Sequence, residues 1–137
     1  MIPYIDIRFF AYAIIPIFMT TDADYRPVPV FKALGDENRL AILLLIRQQT
    51  ELCVCELTAA LELAQPTVSR HLAYLRAQNL LQDERRGQWV YYRLHPDLPD
   101  WVQSVLERSS EVCASLLGPI HRRLGTLPTR SVSENCS

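Results

Sequence analysis

The chain has 137 residues, 49% of them apolar, and a formal net charge of −1. That length suits one domain with terminal extensions, the apolar content excludes disorder by composition, and the near-zero charge excludes a generally basic nucleic-acid coat, so any DNA binding must come from a local patch. Four cysteines, at positions 53, 55, 113 and 136, are too few and too unevenly spaced for a disulfide scaffold or a zinc ribbon, and read as reduced thiols of a cytoplasmic protein.

Residues 1–18, MIPYIDIRFFAYAIIPIF, are the stretch most like a membrane segment. Asp6, Arg8 and Pro16 interrupt it, it is short for a span of about twenty residues, and it lacks the basic start and cleavage site of an export signal. Met19 opens an ordinary soluble sequence, so residues 1–24 are expected to be an extension and Met19 the natural start. The alternative is a working helix that packs on a dimer.

From Pro29 the chain reads as helices with clear punctuation. A short helix runs to Leu34, Gly35 stops it, Asp36 caps the next, and Leu40, Leu43 and Leu44 give that second helix a buried stripe. A third helix is expected over about Val54–Glu62, with Val54, Leu57 and Leu61 inward. After the break ELA comes QPTVSRHLAYLRAQ, with Pro66 at the first helical position and Val68, Leu72 and Leu75 as its apolar stripe. Two short helices joined by a tight turn make a helix-turn-helix.

Arg70 lies roughly 200° around the second of these helices from Val68, so it points outward with Thr67 and Tyr74 near it and Ser69 and His71 flanking. An arginine there can pair with a guanine edge, and short polar side chains can reach phosphates. LLQDERRGQWVYYRL then reads as a hairpin wing, with strands at Leu80–Gln82 and Trp89–Leu94 around a polar tip at Asp83–Gln88 where Gly87 turns the chain. The candidate DNA contacts are Gln65, Thr67, Ser69, Arg70, His71 and Tyr74 on the helix, with Arg85, Arg86 and Gln88 on the wing. Between Gln65 and His95 five arginines (70, 76, 85, 86 and 93) face two acids, Asp83 and Glu84, which makes the local balance positive.

A last helix is expected from about Pro96 to Leu117, with Val102, Val105, Leu106, Val112, Cys113 and Leu116 on one stripe and a break at Gly118 and Pro119. So long an apolar stripe exceeds the needs of one small core and reads as a dimer seam, since a two-fold protein reads two half-sites. The fold class is mostly α with a β-hairpin wing, a winged helix-turn-helix homodimer over residues 25–124 with a flexible tail over 125–137.

ELCVCEL, QPTVSRHLAYLRAQNLL and RRGQWVYYRLHPDLPDW together resemble the arsenic-repressor branch of the ArsR/SmtB metalloregulators over roughly Phe31 to Leu106. The resemblance implies a dimeric repressor that binds double-stranded operator DNA, carries no permanent cofactor, has no membrane partner, and leaves its operator when trivalent arsenic or antimony binds thiolates as inducer. In that branch the helix before the recognition helix opens C-V-C-x-L-C; here Cys53 and Cys55 match and the third position is Thr58. The Asp and His ligands of zinc-sensing relatives are not reproduced by the spacing of His95 and His121.

The spacing itself has a physical consequence. Residues two apart on a helix point about 200° apart, so Cys53 and Cys55 cannot converge on one ion while a helical first turn persists, and ligation must distort the first helix of the DNA-binding unit. A helix N-terminus is also expected to lower the pKa of a thiol, and soft thiolates favour soft centres. Cys113, on the apolar stripe, reads as packing, and Cys136 as an exposed tail thiol; either could serve as an accessory ligand. No nucleophile stands beside a base and no C-x-x-C pair is present, so an enzyme is not expected. The competing reading is a redox-sensing or metal-independent winged-helix regulator.

Overall fold

The computed structural model describes residues 25–126. The extension at 1–24 and the tail beyond 126, including Cys136, lie outside the described residues. Helix α1 (Pro27–Leu34) and α2 (Glu37–Gln49) are followed by a short strand β1 (Leu52–Cys53), α3 (Val54–Leu61), α4 (Gln65–Ala77), β2 (Leu81–Arg86), β3 (Trp89–Leu94), α5 (Asp100–Val112) and α6 (Ala114–Thr126). Among the described residues no helix is long and apolar enough to cross a membrane.

Local chemistry sets the boundaries of these elements. Asp36 accepts hydrogen bonds from the backbone N–H groups of Asn38 (2.9 Å) and Arg39 (3.0 Å), satisfying two of the orphan donors at the start of α2. These bonds, Arg39's foremost, hold the Asp36 carboxyl below its usual pKa. Helix α3 ends as Glu62 turns left-handed (φ 56°) with its N–H on the Thr58 carbonyl. Pro66 occupies the second helical position of α4, because Gln65 rather than Pro66 begins that helix.

Helix α2 is the centre of the core. Ala41 through Ile46 are buried without interruption, as a helix covered on every side must be. Leu57 of α3, Val68, Leu72 and Leu75 of α4, and Val102 and Leu106 of α5 pack into the same cluster at zero exposure. Each buried leucine contributes about 1.5–3 kcal/mol of transfer free energy, so these few side chains fix the helix-turn-helix against α2.

The sheet departs from the expected two-stranded wing in two ways. Strands β2 and β3 pair antiparallel from Leu81↔Leu94 to Arg86↔Trp89, so Asp83–Arg86 belong to the strand and the tip shrinks to Gly87 and Gln88. The left-handed φ of 65° at Gly87 is what permits so tight a connection. A third strand, β1, pairs with β3 through Leu52↔Tyr92 and Cys53↔Tyr91, and ties the chain before α3 to the wing.

The single last helix is also corrected. It divides at Cys113, the C-cap of α5, and Gly118 and Pro119 lie inside α6 rather than breaking it. Helix α6 continues through Thr126, past the expected start of the tail at 125. It docks on α3, where the Arg123 Nε donates to the Ala60 carbonyl at 2.7 Å. The stripe therefore serves two faces: Leu106, Leu117 and Ile120 are buried, whereas Val112 (83% exposed) and Leu116 (59%) are open.

Candidate nucleic-acid interface and thiol site

Helix α4 presents its outer face as the heptad logic of its inward stripe requires. Gln65, Ser69, Arg70 and Tyr74 are exposed and Thr67 is half-buried. The Arg70 guanidinium lies 3.4 Å from the Thr67 hydroxyl, a long and exposed contact that leaves the guanidinium open to solvent. His71 is turned off this face. Its side chain is largely covered, with Nε2 4.0 Å from Asp36 Oδ1, so it braces α4 against the α2 cap.

Arg39 is a residue the sequence did not single out. It donates to the carbonyls of Ala33 (2.8 Å) and Lys32 (2.9 Å) and lies 4.3 Å over the Tyr74 ring, a cation–π contact that holds the tyrosine in place on the outer face. Nothing in the spacing of Arg39 and Tyr74 along the chain announces the pair.

The arginines of the wing are not equivalent. Arg86 donates to both carboxylate oxygens of Glu51 at 2.7 and 2.8 Å, to Glu84 at 2.5 Å, and sits 4.6 Å over the Tyr91 ring. The bond to Glu51, with that to Glu84, raises its pKa further. Arg93 pairs with Glu84, and Arg76 with Asp83 at 3.0 Å. The excess of arginine counted along the sequence is thus mostly neutralised in place. Arg85 and Gln88 remain exposed near the turn, and Arg85 makes no ion pair among the described residues.

The two cysteines straddle a junction between strand and helix. Cys53 has extended backbone (φ −94°, ψ 169°) as the N-cap of α3, while Cys55 occupies the second helical position. The helical angle between them therefore does not apply, because only one of the two lies on the helix. The Cys53 N–H donates to Glu56 Oε1 at 2.9 Å and the Glu56 N–H faces the Cys53 sulfur, a capping box built with a thiol. Cys53 is 3% exposed, and burial, reinforced by the nearby Glu56 carboxylate, pushes its thiol up to about 11. This reverses the expected lowering: desolvation of the thiolate outweighs the helix N-terminus. Cys55 is half-buried and disulfide-bonded, whereas Cys53 and Cys113 are free thiols.

Thr58, at the third position of the cysteine pattern, has a buried hydroxyl with no hydrogen-bond partner among the described residues. Cys113 lies elsewhere, in a cleft of about 240 Å³ with Glu37, Leu40, Leu44 and Leu116. No cluster of three or more His, Cys, Asp or Glu side chains suited to a metal occurs among the described residues. The junction brings the free thiol of Cys53 beside the disulfide-bonded sulfur of Cys55, and sulfur donors suit a soft centre and not a hard cation.

Comparison with known proteins decides the family. The model for "Bacterial regulatory protein, arsR family" matches residues 36–83, the span from the α2 cap into the wing. The chain is 50% identical over 107 residues to the arsenic resistance transcriptional regulator ArsR1 of Pseudomonas putida, covering 78% of this chain and 84% of that one.

The chain belongs to the ArsR family.

Solved structures of similar fold include the AntR antimony-specific transcriptional repressor (TM-score 0.57, 27% identity, 71% of this chain and 85% of that one). They also include the homodimeric winged helix-turn-helix DNA-binding domain of Mb0332 from Mycobacterium bovis (TM-score 0.53, 29% identity, 63% and 76%). The ArsR-family core is a winged helix-turn-helix in which α3 and α4 form the helix pair and β2 and β3 the wing.

Proposed function

We propose that this ArsR-family chain is a transcriptional repressor that binds operator DNA as a homodimer and releases it when trivalent arsenic or antimony joins Cys53 and Cys55. The observation that carries the reading is the placement of both cysteines at the strand-to-helix junction that opens α3, in a chain 50% identical over 107 residues to an arsenic resistance regulator. No residue there is equipped for turnover; a cysteine pair set at the entry to a DNA-binding helix is, once reduced, equipped for a switch.

The DNA contacts would come from the outer face of α4, with Arg70 reading a base edge and Gln65, Thr67, Ser69 and Tyr74 beside it, and from Arg85 and Gln88 at the wing. Arg86, engaged by Glu51, serves instead to fix the wing. Dimerisation would use the open apolar surface on α1 and α5. Val28 and Phe31 are more than half exposed, Phe31 lies 5.8 Å from the Trp101 ring, and Val112 is almost fully exposed, a concentration of large apolar side chains that water does not favour.

Induction follows from the same junction. Cys53 is held by its pairing with Tyr91 and by Glu56, with its thiol buried and protonated. Joining its sulfur and that of reduced Cys55 to one centre requires both thiols to lose protons and the first turn of α3 to change shape. That turn leads into α4, and β1 is bonded to the wing, so both DNA-reading elements are displaced together. Mobility shift of promoter DNA by the reduced protein tests this: arsenite and antimonite should release it, whereas zinc and cadmium should do so weakly. Release by peroxide alone would identify a redox sensor instead.

A further inference from the structure

Cys55 is disulfide-bonded, whereas Cys53 and Cys113 are free thiols. The chain has four cysteines, so within one chain the remaining candidate for the partner of Cys55 is Cys136, beyond the described residues. The path to it is short. Helix α6 runs to Thr126 after docking on α3, where Arg123 Nε donates to the Ala60 carbonyl at 2.7 Å. Ala60 and Cys55 share α3 and are separated by about 7.5 Å along its axis, while residues 127–136 can span up to about 35 Å.

The chemistry of the junction gives that partner a use. A trivalent arsenic or antimony centre forms three bonds. Thr58, at the third position of the cysteine pattern, offers an oxygen, a poor partner for a soft centre, and Cys113 opens into a separate cleft with Leu40 and Leu44. Cys53 borders a cleft of about 220 Å³ with Val54, Gln65 and Trp89, which leaves room beside its sulfur for a centre and a further ligand. Its thiol also coexists with the disulfide of Cys55 two residues away. Burial pushes that thiol up to about 11, so at neutral pH it stays protonated and does not attack the neighbouring disulfide.

We propose that Cys136 is the third sulfur of the metalloid site: it closes on Cys55 as a disulfide in the oxidised chain and, once reduced, joins Cys53 and Cys55 on a trivalent arsenic or antimony centre. The inference rests on the metalloid-sensing reading above. Sensing then requires a dithiol reductant. The S–S bond breaks, each released sulfur takes a proton from the dithiol, and the dithiol closes to its own disulfide. Arsenous acid next exchanges three arsenic–oxygen bonds for three arsenic–sulfur bonds; the thiol protons leave with the hydroxyls as water, and arsenic stays trivalent. The oxidised chain therefore keeps its operator in the presence of arsenite, because Cys55 is occupied.

Two measurements on the full chain test this. Trypsin leaves Cys53 and Cys55 on peptide 48–70 and Cys136 on peptide 131–137. In chain prepared without reductant and treated with N-ethylmaleimide, mass spectrometry should find these peptides joined, with Cys53 carrying the blocking group. Any other partner for Cys55, a blocked Cys55, or a covalent dimer on a non-reducing gel overturns the proposal. The second measurement titrates chain reduced by a thiol-free phosphine with arsenite and with methylarsenite, which has one position taken by carbon and needs two sulfurs. Because a tethered third ligand acts at high effective concentration, Cys136→Ser should weaken arsenite binding by about tenfold or more while methylarsenite changes less than about twofold. X-ray absorption at the arsenic edge should count one sulfur fewer in Cys136→Ser than in the unaltered chain, and Cys113→Ser should change none of these readouts. Unchanged arsenite affinity in Cys136→Ser, or an equal loss for both arsenicals, overturns the proposal. Absence of arsenite binding by the reduced, unaltered chain overturns the metalloid reading itself, whatever the peptide map shows.

Discussion

Arg86 and Glu51 stand 35 residues apart in sequence, yet the guanidinium of one grips the carboxylate of the other with two hydrogen bonds of 2.7 and 2.8 Å. Glu51 directly precedes β1, whose second residue is Cys53, so this pair joins the wing to the chain that carries the buried thiol.

The pair is partly exposed, so it should add little to stability. Its role should appear in coupling. Glu51→Gln or Arg86→Gln is expected to leave operator affinity within about threefold, but to reduce the release caused by saturating arsenite, because movement of β1 then reaches the wing only through its pairing with β3. Mobility shift with and without arsenite checks this, and full release in both variants would show that the wing moves by another route.

On the DNA face, Arg70→Ala should cost about 1–3 kcal/mol of operator affinity if the side chain reads a base. Arg85→Gln should instead lower the slope of log affinity against log salt by about one. Arg86→Gln should leave that slope unchanged. Titrations at several salt concentrations separate the three, and a slope change at Arg86 equal to that at Arg85 would contradict the division of roles.

Cys53→Ser and Cys55→Ser should each retain repression and lose arsenite response, while Cys113→Ser retains both. Thr58→Cys replaces a buried hydroxyl that has no partner among the described residues with a group that is cheaper to desolvate, so it should be neutral or stabilising by up to about 1 kcal/mol. It should also tighten binding of arsenite and antimonite, with less gain for methylated arsenic, which has one position taken by carbon. Thermal melts and arsenite titrations of the four variants provide the comparison; a fully responsive Cys53→Ser protein would move the sensor elsewhere.

The cap of α2 gives a pH-dependent contribution of predictable sign. Asp36 has its pKa lowered in the folded state, chiefly by the Arg39 N–H, so its stabilisation is present above the unfolded value near 3.8 and is lost as pH falls through the lower folded value. Asp36→Ala should cost about 1 kcal/mol at neutral pH, and this difference should shrink below pH 4. Denaturant melts of both proteins from about pH 3 to pH 7 measure it.

Phe31→Glu places a charge on the open apolar face beside Trp101. It should leave the monomer fold intact, abolish the dimer in sedimentation, and weaken operator binding by at least tenfold, on the order of 1.4 kcal/mol, since one half-site cannot replace two. A dimeric Phe31→Glu protein would place the seam elsewhere.

Period and punctuation in the sequence determined most of the helical frame. Asp36 as a cap, the inward stripe of Val68, Leu72 and Leu75, and Gly87 as a turn follow from residue chemistry acting over a few neighbours, and local rules suffice for local structure. Cys53 and Cys55 could be recognised as a pair from their spacing, and Thr58 as the departure beside them. What surrounds those residues was decided by contacts between distant parts of the chain. A two-residue strand has too little pattern to be seen, and β1 exists because β3 offers Tyr91 and Tyr92 as partners. That pairing put Cys53 in extended backbone and buried it, and burial raised a thiol that the helix terminus alone would have lowered. Charge counting showed five arginines but not which were spent; only the folded wing brings Arg86 to Glu51 and leaves Arg85 open. The break at Cys113 likewise reflects the turn needed to dock α6 on α3 through Arg123 and Ala60, a long-range demand that overrode the local signals of Gly118 and Pro119.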